Sequence, residues 1–257
     1  MMKNYFDLKG QVAVVTGASA GLGLQMAKAF ANQGANLVLL ARRQNLLEEN
    51  ARAISQEYGV EVLPIVCDIT ITEQVQNAVK KTIEHFGRVD ILLNNAGTGA
   101  VGPAEEITDE QLKHEIDIDL FGTYICAREF GKEMINAQYG RIINIASIYG
   151  LVGNMIIGSA PYHAAKGGVV NLTRALAAEW GKYGITVNSI CPGFFYTELT
   201  TATLDSDFFQ DVAKRSIPLG RYGKSGELDT CALFLASPNS TYVNGQNIAI
   251  DGGYTAV

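Results

Sequence analysis

The feature that most constrains this chain is a short β-branched run at residues 12–16, which leads into a glycine-rich turn and then a helical pattern. A strand, a glycine-rich turn and a helix in this order present open backbone amides and a helix N-terminus to a diphosphate. The glycines are Gly17, Gly21 and Gly23, and their G-x-x-x-G-x-G spacing differs from the more widespread G-x-G-x-x-G fingerprint. The alternative is an ordinary glycine-rich turn, but the flanking strand and helix favour a nucleotide site.

The alternation of strand and helix continues along the chain. Apolar runs at residues 36–40, 61–67 and 89–93 are separated by helical patterns at 45–56 and 74–86. Connections of this length predict an α/β fold in which helices cover both faces of a parallel sheet. Further strands are expected to end at Ser147, at residue 190 and at residue 250, and a long helix is expected over 108–135.

The length of 257 residues is compatible with one large domain or with two small ones. Because no internal linker is visible, we expect a single domain over 1–257. The weakly periodic stretch 193–221 is long for a connection inside a regular fold, which is typical of a substrate lid.

Charge and composition exclude several classes of protein. The net charge is −6 and the basic residues are scattered, so a nucleic-acid partner is not expected. The cysteines at 67, 126, 191 and 231 lack metal-ligand spacing and are interpreted as buried thiols in a reducing compartment, with no metal site. No apolar run approaches the roughly 20 residues that span a bilayer, so we expect a cytoplasmic protein with no membrane partner.

Two strand ends suggest contacts for the adenosine half of a dinucleotide. Where dinucleotide folds carry an acidic residue for the ribose 2′-hydroxyl, this chain has Ala41 followed by Arg42, and an arginine there accommodates a 2′-phosphate. This favours NADP(H) over NAD(H), with Arg43 as a second phosphate contact. The alternative is that both arginines are solvated loop charges. Asp68 follows the third strand and is expected either to accept from the adenine amino group or to cap the next helix.

Tyr162 and Lys166 are four residues apart in a segment with a helical pattern, so their side chains share one face. A phenol beside an ammonium and a cationic cofactor ring has its ionised form stabilised, which makes it a usable acid or base. Ser147 closes the apolar run upstream, where its hydroxyl would hydrogen-bond a substrate oxygen. Ser147 and Tyr162 are therefore expected to meet the same substrate oxygen.

The chain resembles the short-chain dehydrogenase/reductase superfamily in its single-domain branch, and the resemblance covers nearly the whole chain. The motifs that carry it are Thr16-Gly17-x-x-x-Gly21-x-Gly23, Asp68, Asn94-Asn95-Ala96-Gly97, Ser147, Tyr162-x-x-x-Lys166, Asn188, Pro192-Gly193 and Asp251-Gly252-Gly253. The resemblance implies a Rossmann-type doubly wound sheet of about seven strands, with Tyr162 as proton donor or acceptor. It also implies that Lys166 binds the nicotinamide ribose and lowers the pKa of the phenol, and that the cofactor is held by Gly17, Ser19, Gly21, Leu22, Gly23, Arg42, Arg43, Asp68, Ile69, Asn95, Ala96, Gly97, Tyr162, Lys166, Pro192, Gly193 and Thr197.

One position departs from the family pattern. Asparagine usually stands where this chain has Asp119, and its neighbourhood supports a proton relay from the catalytic lysine. An aspartate there would give Lys166 a counter-charge and partly offset its pull on Tyr162. Either the relay survives in altered form, with Asp119 as a catalytic residue, or Asp119 makes a structural pair elsewhere. His163 lies about 100° around the helix from Tyr162 and is expected to be a packing or interface residue, with substrate contact as the alternative.

The expected substrate is a small molecule, a partly apolar secondary alcohol or ketone. The chain resembles gluconate 5-dehydrogenase-like polyol enzymes, 3-oxoacyl-carrier-protein reductases and hydroxysteroid dehydrogenases. An acyl-carrier reductase needs a basic surface near the pocket mouth, which Lys214, Arg215, Arg221 and Lys224 would supply. A non-catalytic NADP-binding sensor or scaffold is the alternative from another class, and the family resemblance implies a homotetramer.

Overall fold

The computed structural model describes residues 4–99, 101–197 and 200–257. Within these residues seven parallel strands form one sheet in the order β3-β2-β1-β4-β5-β6-β7. The strands are β1 (Val12–Thr16), β2 (Asn36–Ala41), β3 (Val62–Val66), β4 (Ile91–Asn94), β5 (Gly140–Ile145), β6 (Ile185–Pro192) and β7 (Asn247–Ile250). The Rossmann-type α/β prediction with about seven strands is confirmed.

Helices occupy both faces of this sheet. They are α1 (Gly21–Asn32), α2 (Gln44–Tyr58), α3 (Thr72–Phe86), α4 (Asp109–Ile116), α5 (Thr123–Ala137), α6 (Ala160–Trp180), α7 (Thr201–Leu204), α8 (Asp207–Ser216) and α9 (Asp229–Ala236). The long helix expected over 108–135 is α4, a π-helical segment at Asp117–Gly122, and α5 in succession. None of the described helices is both long and apolar enough to cross a membrane.

The core lies in two layers because successive strand residues point to opposite faces of the sheet. Val15 and Leu39 pack into the layer that contains Phe30 of α1, whereas their neighbours Val14 and Val38 pack into the layer beneath α3 and α5. Strands buried on both faces are apolar throughout, which explains why these runs do not alternate in sequence.

The stretch 193–221 differs from the sequence interpretation, which found no clear helical period there. Apart from residues 198 and 199, which lie outside the described residues, it contains the short helix α7 and the ten-residue helix α8. The start of α8 carries a capping signal, since Ser206 Oγ accepts from the backbone nitrogen of Phe209 and Asp207 lies in the first turn. That a lid occupies this stretch stays a prediction.

All strands run in the same direction, so their carboxyl ends meet at one edge of the sheet. The strand order reverses between β1 and β4, which is where open α/β sheets bind ligands. The segments after β1, β4, β5 and β6 carry the glycine-rich turn, Asn95, Ser147 and Gly193. The fold therefore brings most of the residues singled out in the sequence to this edge.

Candidate active site

The glycine-rich turn packs against the end of β4 too closely for larger residues. Gly17 and Gly21 have φ values of +66° and +59°, a region that favours glycine. A Cβ on Gly23 would lie 2.3 Å from Asn95 Nδ2 and 2.7 Å from the carbonyl oxygen of Gly17. The N-cap residue of α1, Ala20, makes no side-chain capping bond, and α1 has no acidic residue in its first turn. These features fit a diphosphate that accepts from the helix amides.

Asn95 and Thr16 join β1 to β4 at the point where the strand order reverses. Thr16 Oγ1 accepts from the backbone nitrogens of Asn95 and Ala96, at 2.9 and 3.0 Å. The side chain of Asn95 donates in return to the carbonyl oxygen of Thr16, at 3.1 Å. Asn95 thus braces the glycine-rich turn and the central sheet together.

The two arginines after β2 have different neighbours. Arg43 donates to Ser19 Oγ from Nε at 3.2 Å and from Nη2 at 3.0 Å, so it lies across the glycine-rich turn. Arg42 is exposed, and its charge helps to lower the pKa of Asp68 at the end of β3. Both cations therefore flank the end of β2, but Arg43 rather than Arg42 contacts the turn.

Asp68 is held by its own turn. Its Oδ1 accepts from the backbone nitrogen of Thr70 at 3.0 Å and from the Thr70 hydroxyl at 2.7 Å. Burial alone would raise the pKa of Asp68, but these bonds lower it. Helix α3 is capped instead by Ile71, without a side-chain bond, so the expectation that Asp68 caps this helix is wrong. Ile69 is buried, and its Cδ1 would lie 2.6 Å from a Cβ on Gly122 in the π-helical segment.

Ser147, Tyr162 and Lys166 come together where β5 ends beside α6. Lys166 is 3% exposed, its Nζ donates to the carbonyl oxygen of Ile145 at 3.1 Å, and it lies 5.5 Å from the centre of the Tyr162 ring. The Ser147 hydroxyl lies near enough to the partly exposed Tyr162 to lower the pKa of its phenol. The sequence therefore located three polar groups that share one site.

Asp119 belongs to the same cluster. Its Oδ1 lies 3.3 Å from Lys166 Nζ, and both side chains are almost wholly buried. The same oxygen accepts from the backbone nitrogen of Thr98 at 3.1 Å, and a Cβ on Gly97 would lie only 2.4 Å from it. Asp119 occupies the π-helical segment, a feature often found at functional sites. Its position favours the counter-charge interpretation over a structural pair elsewhere.

The buried charges shift both partners of the tyrosine–lysine pair. Burial raises the pKa of Tyr162; Lys166 and the Ser147 hydrogen bond pull it down, while Asp119 and Glu115 push it up, and the net direction is upward. Burial lowers the pKa of Lys166, but Asp119 and Tyr162 outweigh that effect and the net direction is again upward. Lys166 therefore stays an ammonium, and its pull on the phenol is partly cancelled by its own counter-ion.

The segment after β6 approaches the glycine-rich turn from the other side. The backbone nitrogen of Gly193 donates to Ile250 at 3.0 Å, and a Cβ on Gly193 would lie 2.8 Å from Asp251 Cα. The side chain of Thr197 is the nearest group to a Cβ placed on Gly21, at 3.9 Å. Pro192, Gly193 and Thr197 therefore lie within reach of a ligand on the turn, as does Leu22 at the start of α1.

Aromatic residues surround the open side of Tyr162. Phe194 packs against Tyr149, Phe209, Tyr222 and Tyr254, with ring centres 5.7–6.5 Å apart. Phe195 instead belongs to the core beside Gly223, and Phe208 is 61% exposed. The sequence analysis missed Tyr149, although a second phenol two residues after Ser147 was a readable signal. No group of three His, Cys, Asp or Glu side chains in the described ranges is arranged to hold a metal.

Known proteins resemble this chain over nearly its whole length. A family profile described as Enoyl-(Acyl carrier protein) reductase matches residues 17–255. Galactitol 2-dehydrogenase (L-tagatose-forming) from Cereibacter sphaeroides is 37% identical over 254 residues, covering 98% of each protein. Gluconate 5-dehydrogenase from Gluconobacter oxydans is 36% identical, covering 97% of this chain and 96% of that protein. The crystal structure of a gluconate 5-dehydrogenase from Burkholderia cenocepacia in complex with NADP and tartrate has a TM-score of 0.94 at 35% identity, covering 98% of each chain.

Proposed function

Because the chain belongs to the short-chain dehydrogenase/reductase family and is an oxidoreductase of CH–OH groups, we propose that it interconverts a polyol or sugar acid and the corresponding ketone. We propose NADP(H) as its preferred cofactor and Tyr162 as its general acid and base. The observation that carries the proposal is the convergence of Ser147, Tyr162 and Lys166 at the sheet edge that also holds the glycine-rich turn.

The chemistry follows from the positions of these side chains. A nicotinamide dinucleotide held by the glycine-rich turn and by Lys166 would supply the hydride chemistry. In reduction the Tyr162 phenol gives its proton to the substrate oxygen, and in oxidation the phenolate takes it back. Ser147 hydrogen-bonds the same oxygen and stabilises its developing charge. Lys166 keeps a positive charge next to the phenol, and Asp119 moderates that charge.

The substrate class is supported by the named activities of the relatives. One relative is a galactitol dehydrogenase and another a gluconate dehydrogenase, and both oxidise a hydroxyl on a chain of hydroxylated carbons. NADP(H) is supported by the contact between Arg43 and Ser19 and by the second exposed cation, Arg42. A solved relative is bound to NADP as well.

A 3-oxoacyl-carrier-protein reductase is a weaker candidate. The basic surface that it requires is partly neutralised, because Arg215 pairs with Asp211 at 2.8 Å and Arg221 pairs with Glu227 at 2.7 Å. Exposed ion pairs of this kind leave less net charge to attract an acidic partner. We therefore rank a polyol or sugar acid above an acyl carrier.

The oligomeric state and location are proposed on separate grounds. Leu112, Phe121 and Tyr124 are 38–47% exposed on the helical stretch that also carries Asp119, and this apolar surface supports a homotetramer formed through these helices. A monomeric mass in light scattering would overturn that proposal. A cytoplasmic location stays a prediction, to be checked by fractionation.

Steady-state kinetics test the proposed function. Oxidation of galactitol, gluconate and a hydroxysteroid should be measured with NADP⁺ and with NAD⁺. Reduction of a β-ketoacyl thioester should be measured with NADPH. We expect turnover of a polyol or sugar acid and a lower KM for NADP⁺. Turnover of the thioester alone would replace the polyol proposal with the acyl-carrier alternative, and cofactor binding without turnover of any substrate would favour the sensor.

A further inference from the structure

Two aromatic side chains beside the reacting phenol form a stacked pair with unused polar atoms. The rings of Tyr149 and His163 lie 4.5 Å apart and within 14° of parallel, and the Tyr149 ring meets that of Tyr162 nearly edge-on at 6.3 Å. Tyr149 Oη and His163 Nε2 are both buried, and neither has a hydrogen-bond partner in the described part of the chain. A buried polar atom without a partner is destabilising, so two such atoms on stacked rings require an explanation.

The hydrogen bond of His163 determines which chemistry its free nitrogen offers. Its Nδ1 lies 2.8 Å from the carbonyl oxygen of Ser159. A carbonyl oxygen only accepts, so Nδ1 carries the proton, and the Ser159 hydroxyl oxygen, 3.3 Å from the same nitrogen, is a second acceptor. In the neutral imidazole, Nε2 is then an acceptor with a lone pair. The free nitrogen is therefore suited to a hydroxyl that donates to it.

The position of Tyr149 is fixed relative to the reacting groups. Its backbone nitrogen donates to Ser147 Oγ at 3.1 Å. The next residue, Gly150, is pressed against α6 so closely that a Cβ would lie 2.7 Å from the carbonyl oxygen of Lys166. Burial raises the pKa of Tyr149, as do the phenols of Tyr254 and Tyr162, so its hydroxyl stays protonated and available as a donor.

We propose that Tyr149 Oη and His163 Nε2 form a subsite for a substrate hydroxyl on the carbon next to the one that reacts. This inference rests on the proposed function and specifies its substrate as a vicinal diol. The hydroxyl donates to His163 Nε2 and accepts from Tyr149 Oη, so both buried atoms gain a partner. A carboxylate is disfavoured at this position, because it has no proton to offer the lone pair of Nε2.

Phe194 packs on the Tyr149 side of this subsite, where its ring meets that of Tyr149 edge-on at 6.1 Å. Phe194 is the second residue of the stretch 193–221, and its ring also contacts Phe209 of α8.

The test uses a pair of alcohols that differ by one hydroxyl, 2,3-butanediol and 2-butanol, together with galactitol. Tyr149→Phe keeps the stacked ring and removes only the hydroxyl. His163→Asn keeps a side-chain N–H for Ser159 and removes the acceptor nitrogen. We expect each variant to lose about tenfold or more in kcat/KM on galactitol, and the preference for 2,3-butanediol over 2-butanol to fall by a similar factor.

Tyr139→Phe is the matched control, since it removes a phenol at the opposite end of β5, where Tyr139 packs on Arg141. It should leave the diol preference unchanged. Equal losses of kcat/KM on 2,3-butanediol and on 2-butanol would leave the preference unchanged. That result would assign Tyr149 and His163 a structural role and overturn the subsite.

The proposed function fails in a different way. A parent enzyme that oxidises neither galactitol nor gluconate refutes the polyol or sugar-acid proposal whatever the variants do, and the butanol pair then still judges the subsite. A parent with no preference for the diol overturns the subsite while leaving oxidation of other polyols or sugar acids intact.

Discussion

The glycine-rich turn and the tyrosine site occupy the same sheet edge but are built in opposite ways. The turn owes its shape to missing side chains and to neutral hydrogen bonds among Thr16, Asn95 and the backbone. The tyrosine site, by which we mean Ser147, Tyr162, Lys166 and Asp119, depends on charges that are withdrawn from water.

This difference determines how each region responds to substitution. At the turn, one added methyl group would overlap closely packed atoms, which can separate only at a cost in stability. The loss of stability is therefore steric and independent of pH. At the tyrosine site, a change of charge with little change of shape alters proton affinities, so the response depends on pH. Four substitutions separate these two modes.

Removal of the Tyr162 hydroxyl should have the largest effect. Tyr162→Phe keeps the ring beside Lys166 and removes the group that transfers the proton, so kcat should fall by about 10²–10⁴-fold. NADPH affinity measured by fluorescence titration should change little. A variant with parental kcat would refute the general acid role.

A methyl group on Gly23 should have the next largest effect. The new Cβ would lie 2.3 Å from Asn95 Nδ2, so Gly23→Ala should lower the free energy of unfolding by about 1–3 kcal/mol and weaken NADPH binding. Gly167→Ala is the control, because no atom lies within 4 Å of its added Cβ and alanine is the better helix former. Urea unfolding at pH 6 and pH 9 should show the same loss for Gly23→Ala; a loss confined to one pH would show that the turn is not purely steric.

Much of this architecture could be predicted from local sequence signals. The bounds of β1 match the sequence expectation at residues 12–16, because a β-branched run before a glycine-rich turn has little alternative. The helical pattern expected at 74–86 ends at the same residue as α3, and Gly87 follows it with a φ of +72°. Ser147, Tyr162 and Lys166 were found because the end of a strand and a four-residue helical spacing determine where side chains point.

What escaped prediction depends on contacts between distant parts of the chain. The partner of Asp119 could not be settled, since the π-helical segment that turns its side chain towards Lys166 has no sequence signature. Arg43 rather than Arg42 reaches Ser19 because of the path of the loop after β2. Helix α8 was missed despite a capping serine, because the residues around it are rich in Thr and Phe and obscure its period.

Substitution of the two arginines after β2 tests whether a positive charge beside the glycine-rich turn selects NADPH over NADH. Arg43→Ala should raise the KM for NADPH about tenfold or more and leave that for NADH nearly unchanged, since only the 2′-phosphate needs the cation. Arg42→Ala should have a smaller effect, because this residue does not contact the turn. Arg52→Ala removes the same charge from an exposed position on α2 and serves as the control. Equal changes for both cofactors would mean that the arginines hold the loop rather than the phosphate.

Asp119→Asn should change the rate least and the pH dependence most clearly. Asp119 and Glu115 raise the pKa of Tyr162 while Lys166 lowers it, so loss of the Asp119 charge should lower the pKa of the phenol. Oxidation needs the phenolate, so its kcat rises with pH, whereas reduction needs the phenol, so its kcat falls with pH. Both of these limbs of the pH profile should therefore move to lower pH.

The same substitution also weakens the support for the Lys166 ammonium, whose pKa Asp119 raises. If that second effect dominates, Lys166 loses its charge and the limbs move to higher pH, which would contradict the assignment of Asp119 as a moderating counter-charge. Asp117→Asn is the control. Asp117 lies two residues before Asp119, and its carboxylate pairs with the exposed Lys113. This substitution should leave the pH profile unchanged. The measurement is kcat against pH in both directions. A shifted profile in Asp119→Asn and not in Asp117→Asn would establish that buried charge tunes the tyrosine site. An equal loss for Gly23→Ala at pH 6 and pH 9 would show that the glycine-rich turn is insensitive to charge.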